Sequence, residues 1–180
     1  MLLHRNQSLL LVVDVQDKLL PAIDQADTLL QQCHWLIAVA RQLGVPVIFS
    51  EQYPKGLGPT HPQLRALAPD APVVDKTHFS CVAAGCLPAD LLQQHRQIVI
   101  CGMESHVCVL QTAWDLHASG LDVFVVADAI GSRKPLDHQL ALQRLQAMGL
   151  SIVSREMCLF EWAHQAATPE FKQLSQQFLR

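Results

Sequence analysis

The sequence predicts a three-layer α/β/α fold on a six-stranded parallel sheet, Rossmann-like in type. Two observations carry this. Short, continuous apolar runs alternate with segments in helical spacing, and three of those segments stop at a glycine (Gly44, Gly120 and Gly149). Apolar runs that are continuous rather than alternating belong to strands buried on both faces, as in a parallel sheet covered by helices.

The elements follow in order. Residues 9–13 form an apolar run ending at Asp14, read as the first strand. Residues 24–43 carry apolar side chains at 29, 30, 33, 36, 37, 40 and 43, which is helical spacing, and Gly44 stands where a C-terminal cap belongs. Residues 45–49 form the second strand. The Gly- and Pro-rich stretch 52–62 is read as loop, and 63–67 as one or two helical turns. Residues 72–74 make a short third strand ending at Asp75 and Lys76.

A helix over 87–95 has Pro88 in its first turn, where a missing N–H costs nothing. Residues 97–101 are the fourth strand, and Gly102 follows. The spacing predicts a helix over 106–119, with Val107, Leu110, Ala113, Trp114 and His117 on one face. Strand five spans 121–127, a helix covers 136–148, and strand six spans 150–154. Two terminal helices are expected over 158–167 and 169–179. No repeat, linker or low-complexity stretch interrupts the pattern, so residues 1–180 read as one domain.

Composition narrows the function. Half of the residues are hydrophobic, the formal net charge is −3, and no Lys/Arg run occurs, which argues against nucleic acid as partner. The longest apolar run is far shorter than the roughly 20 residues that span a bilayer. Asp14 follows that run with no small-residue cleavage site, so neither membrane nor signal peptide is expected. Six cysteines without a C-x-x-C pair suit reduced thiols in the cytoplasm.

In an open parallel sheet, ligands bind at the carboxyl ends of the strands, where the strand order reverses. Asp14 closes strand one, Lys76 closes strand three, and Cys108 follows strand four near a helix start. Singly, each has a plain structural explanation: a turn residue, a solvated strand end, a core thiol. Together they supply a base, a cation and a nucleophile. A helix N-terminus and an ammonium both favour thiolate, and a carboxylate can take the thiol proton and return it to a leaving group.

These residues resemble the isochorismatase-like cysteine hydrolases. The resemblance rests on Val13-Asp14-Val15-Gln16, on Asp75-Lys76-Thr77, and on Gly102-Met103-Glu104-Ser105-His106-Val107-Cys108-Val109, the most specific of the three. Ser50 to Gly58, Ala127 to Arg133 and Glu156 to Trp162 make the chain look most like the small isochorismatase domain-containing proteins of that family. The resemblance implies a catalytic triad of Asp14, Lys76 and Cys108. It also implies a cis peptide between Met103 and Glu104, aiming the N–H groups of Glu104 and Cys108 at an oxyanion. Gln16, Glu51, Gln52, Tyr53 and Phe79 are expected to line the substrate pocket.

Nicotinamidases of this family hold a metal through an Asp-x-His element after strand two. Here the stretch reads Glu51-Gln52-Tyr53, so no metal and no other cofactor is expected. Isochorismatase itself lacks the cysteine, so Cys108 points to C–N hydrolysis of a small amide or carbamoyl substrate. Two alternatives stand beside this reading: a thiol redox protein, with Cys101 as the resolving thiol, and a non-catalytic interaction protein. A homo-oligomer is expected, because Leu159, Phe160 and Trp162 exceed what a small core readily buries.

Overall fold

A computed structural model describes residues 1–179. Its six strands are β1 (Ser8–Val13), β2 (Val47–Gln52), β3 (Val73–Lys76), β4 (Gln97–Met103), β5 (Asp122–Gly131) and β6 (Ser151–Val153). All pairings are parallel, in the order β3-β2-β1-β4-β5-β6. The helices are α1 (Ala26–Gln42), α2 (Pro54–Leu57), α3 (Pro62–Leu67), α4 (Ala89–Gln94), α5 (Leu110–Ala118), α6 (Pro135–Ala147), α7 (Arg155–Ala163) and α8 (Pro169–Phe178).

The β1 strand shows why the apolar runs are continuous. Leu10 and Val12 enter one core, with α1, α7 and α8, while Leu9, Leu11 and Val13 enter the other, with α5 and α6. Both faces are buried, so neither set of alternate positions can be polar. The strand order reverses at β1, between β2 and β4. There β4 must pass very close: Gly102 pairs with Val13, and a Cβ on Gly102 would lie 2.1 Å from the Val13 carbonyl oxygen. Gly102 also has φ +114, a backbone that side chains rarely allow.

Several expectations change in detail. The stretch read as loop after residue 52 contains α2, with Pro54 at its start, and β2 itself runs on to Gln52. The helix expected from residue 106 opens as a π turn, Ser105–Val109, before α5. Its buried face holds Leu110, Ala113 and Leu116, and Trp114 is turned to solvent. The α7 helix begins at Arg155 because Ser154 caps it, its Oγ accepting from Met157 N–H at 3.2 Å. Leu159 and Trp162 are buried in this chain's own core, with Trp162 Nε1 donating to Ser8 Oγ at 3.0 Å. Of the three residues taken to signal assembly, only Phe160 is exposed.

Candidate active site

The site forms where β1, β2, β3 and β4 end. At the close of β1, Asp14 still donates its N–H to Ser50 carbonyl at 3.0 Å, then turns into the left-handed region at φ 54. Aspartate tolerates that region better than most residues, because its short polar side chain can bond locally. The turn holds the carboxylate at the end of the sheet. Oδ1 accepts from Ser50 Oγ at 2.7 Å and Oδ2 from Lys76 Nζ at 2.8 Å. Both charged side chains are wholly buried.

Lys76 reaches this point because β3 pairs in register with β2, placing Lys76 opposite Gln52. Its ammonium also donates to Gln52 Oε1 at 2.6 Å. Burial by itself works to lower the Lys76 pKa. The charge of Asp14 and the hydrogen bond to it outweigh that, so the pKa is raised and the side chain is an ammonium.

Cys108 sits in the π turn between β4 and α5, a distortion that recurs at functional sites. Its Sγ lies 3.9 Å from Gln52 Oε1, so one amide oxygen faces both the ammonium and the thiol. Burial, joined by the negative charge of Asp14, pushes the Cys108 thiol up to about 12, although Lys76 acts to lower it. The thiolate-favouring effects of helix and ammonium are therefore outweighed in the resting molecule, and Cys108 rests as a thiol beside Asp14.

Backbone donors face the same turn. The Met103–Glu104 peptide is cis. The Glu104 carbonyl accepts the N–H groups of Val107 and Val109, at 3.0 and 3.1 Å, and the Glu104 N–H has no acceptor among the described residues. The Glu104 side chain pairs with Arg133 at 2.6 Å. Two histidine–serine bonds tie the turn down from behind: Ser105 Oγ to His138 Nδ1 at 3.0 Å, and His106 Nδ1 to Ser132 Oγ at 2.9 Å. Ser132 and His138 also line a groove of about 340 Å³ with Asp24, Gln32 and Asp128, whose lining includes neither Asp14 nor Lys76.

The remaining predicted pocket residues divide into two groups. Gln16 is fully buried: Nε2 donates to the carbonyls of Gln52 and Gly58, at 3.0 and 2.6 Å, and Oε1 accepts Gln52 N–H at 2.7 Å. Glu51 Oε1 accepts the N–H and hydroxyl of Thr60, at 2.7 and 2.8 Å. These two side chains pin the loop after β2. Tyr53 and Phe79 instead stand exposed at the rim. Two residues had escaped notice in the sequence, Ser50 and His138. A serine interrupting the apolar run of β2 was a usable signal for the first; nothing local marked the second.

The donors present do not suit a metal. Glu51 is taken up by Thr60, His61 lies 3.9 Å from Asp17, and among the described residues no three His, Cys, Asp or Glu side chains converge. Cys101 is no partner for Cys108 either. It faces the opposite core, with Cys33 and Cys158, across the sheet from the site, which removes the resolving thiol of the redox alternative.

An open parallel sheet covered by helices on both faces, with carboxylate, ammonium and thiol grouped at its switch point, defines a three-layer α/β protein. The chain belongs to the isochorismatase family: the family model "Isochorismatase domain" matches residues 8–157. It is 37% identical over 171 residues to isochorismatase domain-containing protein 2A of Mus musculus, covering 94% of this chain and 81% of that one. The structure of MAR1 ribonuclease from Caenorhabditis elegans superposes with TM-score 0.93 at 35% identity, over 100% of this chain and 93% of that one. The Escherichia coli YcaC gene product, described as an octameric hydrolase of unknown specificity, shares the fold. Its TM-score is 0.88 at 24% identity, over 99% of this chain and 91% of that one.

Proposed function

We propose that the chain is a cysteine hydrolase that cleaves the C–N bond of a small amide or carbamoyl substrate through a thioester on Cys108. One observation carries this reading: the desolvated Asp14–Lys76 pair, at 2.8 Å, with a thiol beside it. Burying two charges costs several kcal/mol per ion before their attraction is counted, so such a pair is weak evidence for stability and better evidence for chemistry.

In the proposed cycle, Cys108 passes its proton to Asp14 as sulfur attacks the carbonyl carbon. Lys76 steadies the negative charge as it moves between oxygen and sulfur. The N–H groups of Glu104 and Cys108 take the oxyanion. The intermediate collapses with loss of the C–N bond, and Asp14 gives its proton to the leaving nitrogen. Asp14 then deprotonates a water that attacks the thioester, the C–S bond breaks as the acid product forms, and Asp14 returns the proton to the Cys108 sulfur. Ser50 holds Asp14 in place, and Gln52 orients Lys76 toward the sulfur. Gln16 and Glu51 shape the substrate side, with Tyr53 and Phe79 at its mouth.

A neighbouring copy in a homo-oligomer is proposed to cover that mouth, where Tyr53 and Phe79 are exposed. A reducing compartment such as the cytoplasm suits its free thiols. Among the described residues no helix is long and apolar enough to cross a membrane. The C. elegans protein's name makes RNA the control substrate. A net charge of −3 without a Lys/Arg run offers little to a phosphate backbone.

The test is a panel of small amides and carbamoyl compounds, read by release of ammonia or amine, with RNA alongside. Turnover should disappear in Cys108→Ala, with the fold retained by circular dichroism. Unaltered turnover in that variant, or cleavage of RNA alone, rejects the reading.

A further inference from the structure

The six cysteines occupy three environments. Cys33, Cys101 and Cys158 lie in the core on the α1 face, and Cys108 belongs to the site. Cys81 and Cys86 close a tight turn just beyond Lys76. Cys86 N–H donates to the Cys81 carbonyl at 3.3 Å, and Cys86 Sγ lies 3.4 Å from the same oxygen. A carbonyl-to-amide bond between the two residues brings their Cα atoms into about the 4.4–6.8 Å range that a disulfide spans.

The turn is held from outside. Ser80 Oγ donates to Asp115 Oδ2 at 2.5 Å, and Cys81 N–H donates to Thr112 Oγ1 at 3.0 Å, both on α5. Gly85 takes a left-handed φ of +61, which lets the chain double back. Cys81 is completely buried, and Cys86 is only half-buried. Cys86 is thus the more open of the two to a small oxidant, and Cys81 is sheltered.

We propose that Cys81 and Cys86 are a redox modification site: a dithiol that takes a hydroperoxide as oxidant and closes reversibly to an intramolecular disulfide beside the catalytic lysine.

The electrostatics divide the labour between the two sulfurs. The hydrogen bond from Cys81, with help from the Lys76 charge, holds the Cys86 thiol below its ordinary range. The same bond, together with burial, pushes the Cys81 thiol up. Cys86 is therefore the attacking thiolate and Cys81 the reserve thiol. Cys86 sulfur attacks the terminal oxygen of the hydroperoxide, and the O–O bond breaks. The alkoxide or hydroxide takes up the proton that Cys86 released, and Cys86 becomes a sulfenic acid. Cys81 sulfur then attacks Cys86 sulfur, the S–O bond breaks, and water leaves with the Cys81 proton. The two thiols give two electrons and the peroxide accepts them. Cys108, resting as a thiol, is the poorer target despite being the proposed nucleophile of hydrolysis.

The experiment uses the full chain and reads mass, so it is independent of whether any amide is turned over. Reduced protein is titrated with hydrogen peroxide, unfolded, alkylated and digested with trypsin. Residues 77–96 form one peptide that holds Cys81 and Cys86 and no other cysteine. That peptide should become lighter by two hydrogens and resist alkylation, and dithiothreitol should reverse both changes, while Cys108 is still alkylated in full. Cys81→Ser should leave a sulfenic acid on Cys86 that dimedone traps, and Cys86→Ser should abolish oxidation of the peptide. Oxidation of Cys108 ahead of this pair overturns the proposal. So does Cys86 passing to sulfinic acid while Cys81 stays reduced.

Discussion

Lys76 Nζ lies 2.8 Å from Asp14 Oδ2, and neither side chain has exposed surface. Two charges removed from water hold each other, so breaking the pair from one side leaves the other charge uncompensated. Asp14→Asn and Lys76→Met are each expected to destabilise the fold by about 3–5 kcal/mol. The double variant should recover much of that loss, since no bare charge remains. Urea unfolding of the two single variants and the double variant closes the cycle. Strict additivity would mean that the two groups do not act as a pair.

Gln52 is expected to govern the site without taking part in proton transfer. Its Oε1 accepts from Lys76 at 2.6 Å and faces Cys108 Sγ, while its Nε2 donates to Thr77 carbonyl at 2.9 Å. Gln52→Leu removes a hydrogen bond to a buried charge, a loss of about 1.5–3 kcal/mol in stability. Gln52→Glu, by adding negative charge beside the sulfur, should slow Cys108 alkylation while keeping a partner for Lys76. Alkylation at an unchanged rate in that variant would place the Gln52 side chain away from the thiol in solution.

The fold was legible because burying both faces of a sheet forces a continuous apolar run, and β1, β2 and β4 have such runs. Asp14 was legible as the polar residue closing one of these runs, and Lys76 as the one closing the short edge strand β3. Gln52 was expected at the pocket only through the family resemblance: its Gly- and Pro-rich neighbours suggest loop, whereas pairing with β3 extends β2 through it and sets it opposite Lys76. The resting state of Cys108 was not legible for a related reason. Helix position can be read along the chain, but burial and the nearness of Asp14, 94 positions away by residue number, appear only in three dimensions. The Ser105–His138 bond spans 33 residues and leaves no local pattern.

That bond makes an acid-sensitive feature. Burial lowers the His138 pKa, with Asp24 opposing, so the folded state prefers neutral imidazole. Below about 6.5 the unfolded chain binds a proton that the folded chain resists. Stability should therefore fall as pH drops from about 6.5 through the folded pKa, and be insensitive to this group above that window. In His138→Asn this part of the slope should vanish. Chemical denaturation at a series of pH values compares the two proteins, and identical slopes would remove His138 as the cause.

Gly102→Ala tests the close approach of β4 to β1. The new methyl group would meet Val13 backbone atoms at 2.1, 2.7 and 2.9 Å, on a residue with φ +114. Backbone cannot swing aside as a side chain can, so the cost should exceed the roughly 1–3 kcal/mol of ordinary overpacking. Loss of soluble protein, or a large fall in Tm, is the expected outcome. A variant as stable as the parent would show that the two strands separate easily at the switch point.

The protonation of Cys108 gives the sharpest test of the site. Held at about 12 by burial and by Asp14, against the pull of Lys76, the thiol should react slowly with iodoacetamide near neutrality. The rate should climb with pH up to about that value, because the thiolate is the reacting form. Lys76→Met removes the ammonium that favours thiolate, so alkylation at any given pH should slow further. Peptide mapping must follow Cys108 itself, since half-buried Cys86, its pKa lowered by the hydrogen bond from Cys81, is expected to react independently and faster. A plateau in the Cys108 rate near neutral pH would mean that the free protein already holds a thiolate there. Asp14 would then have no thiol proton to remove, and its work would begin with the leaving group.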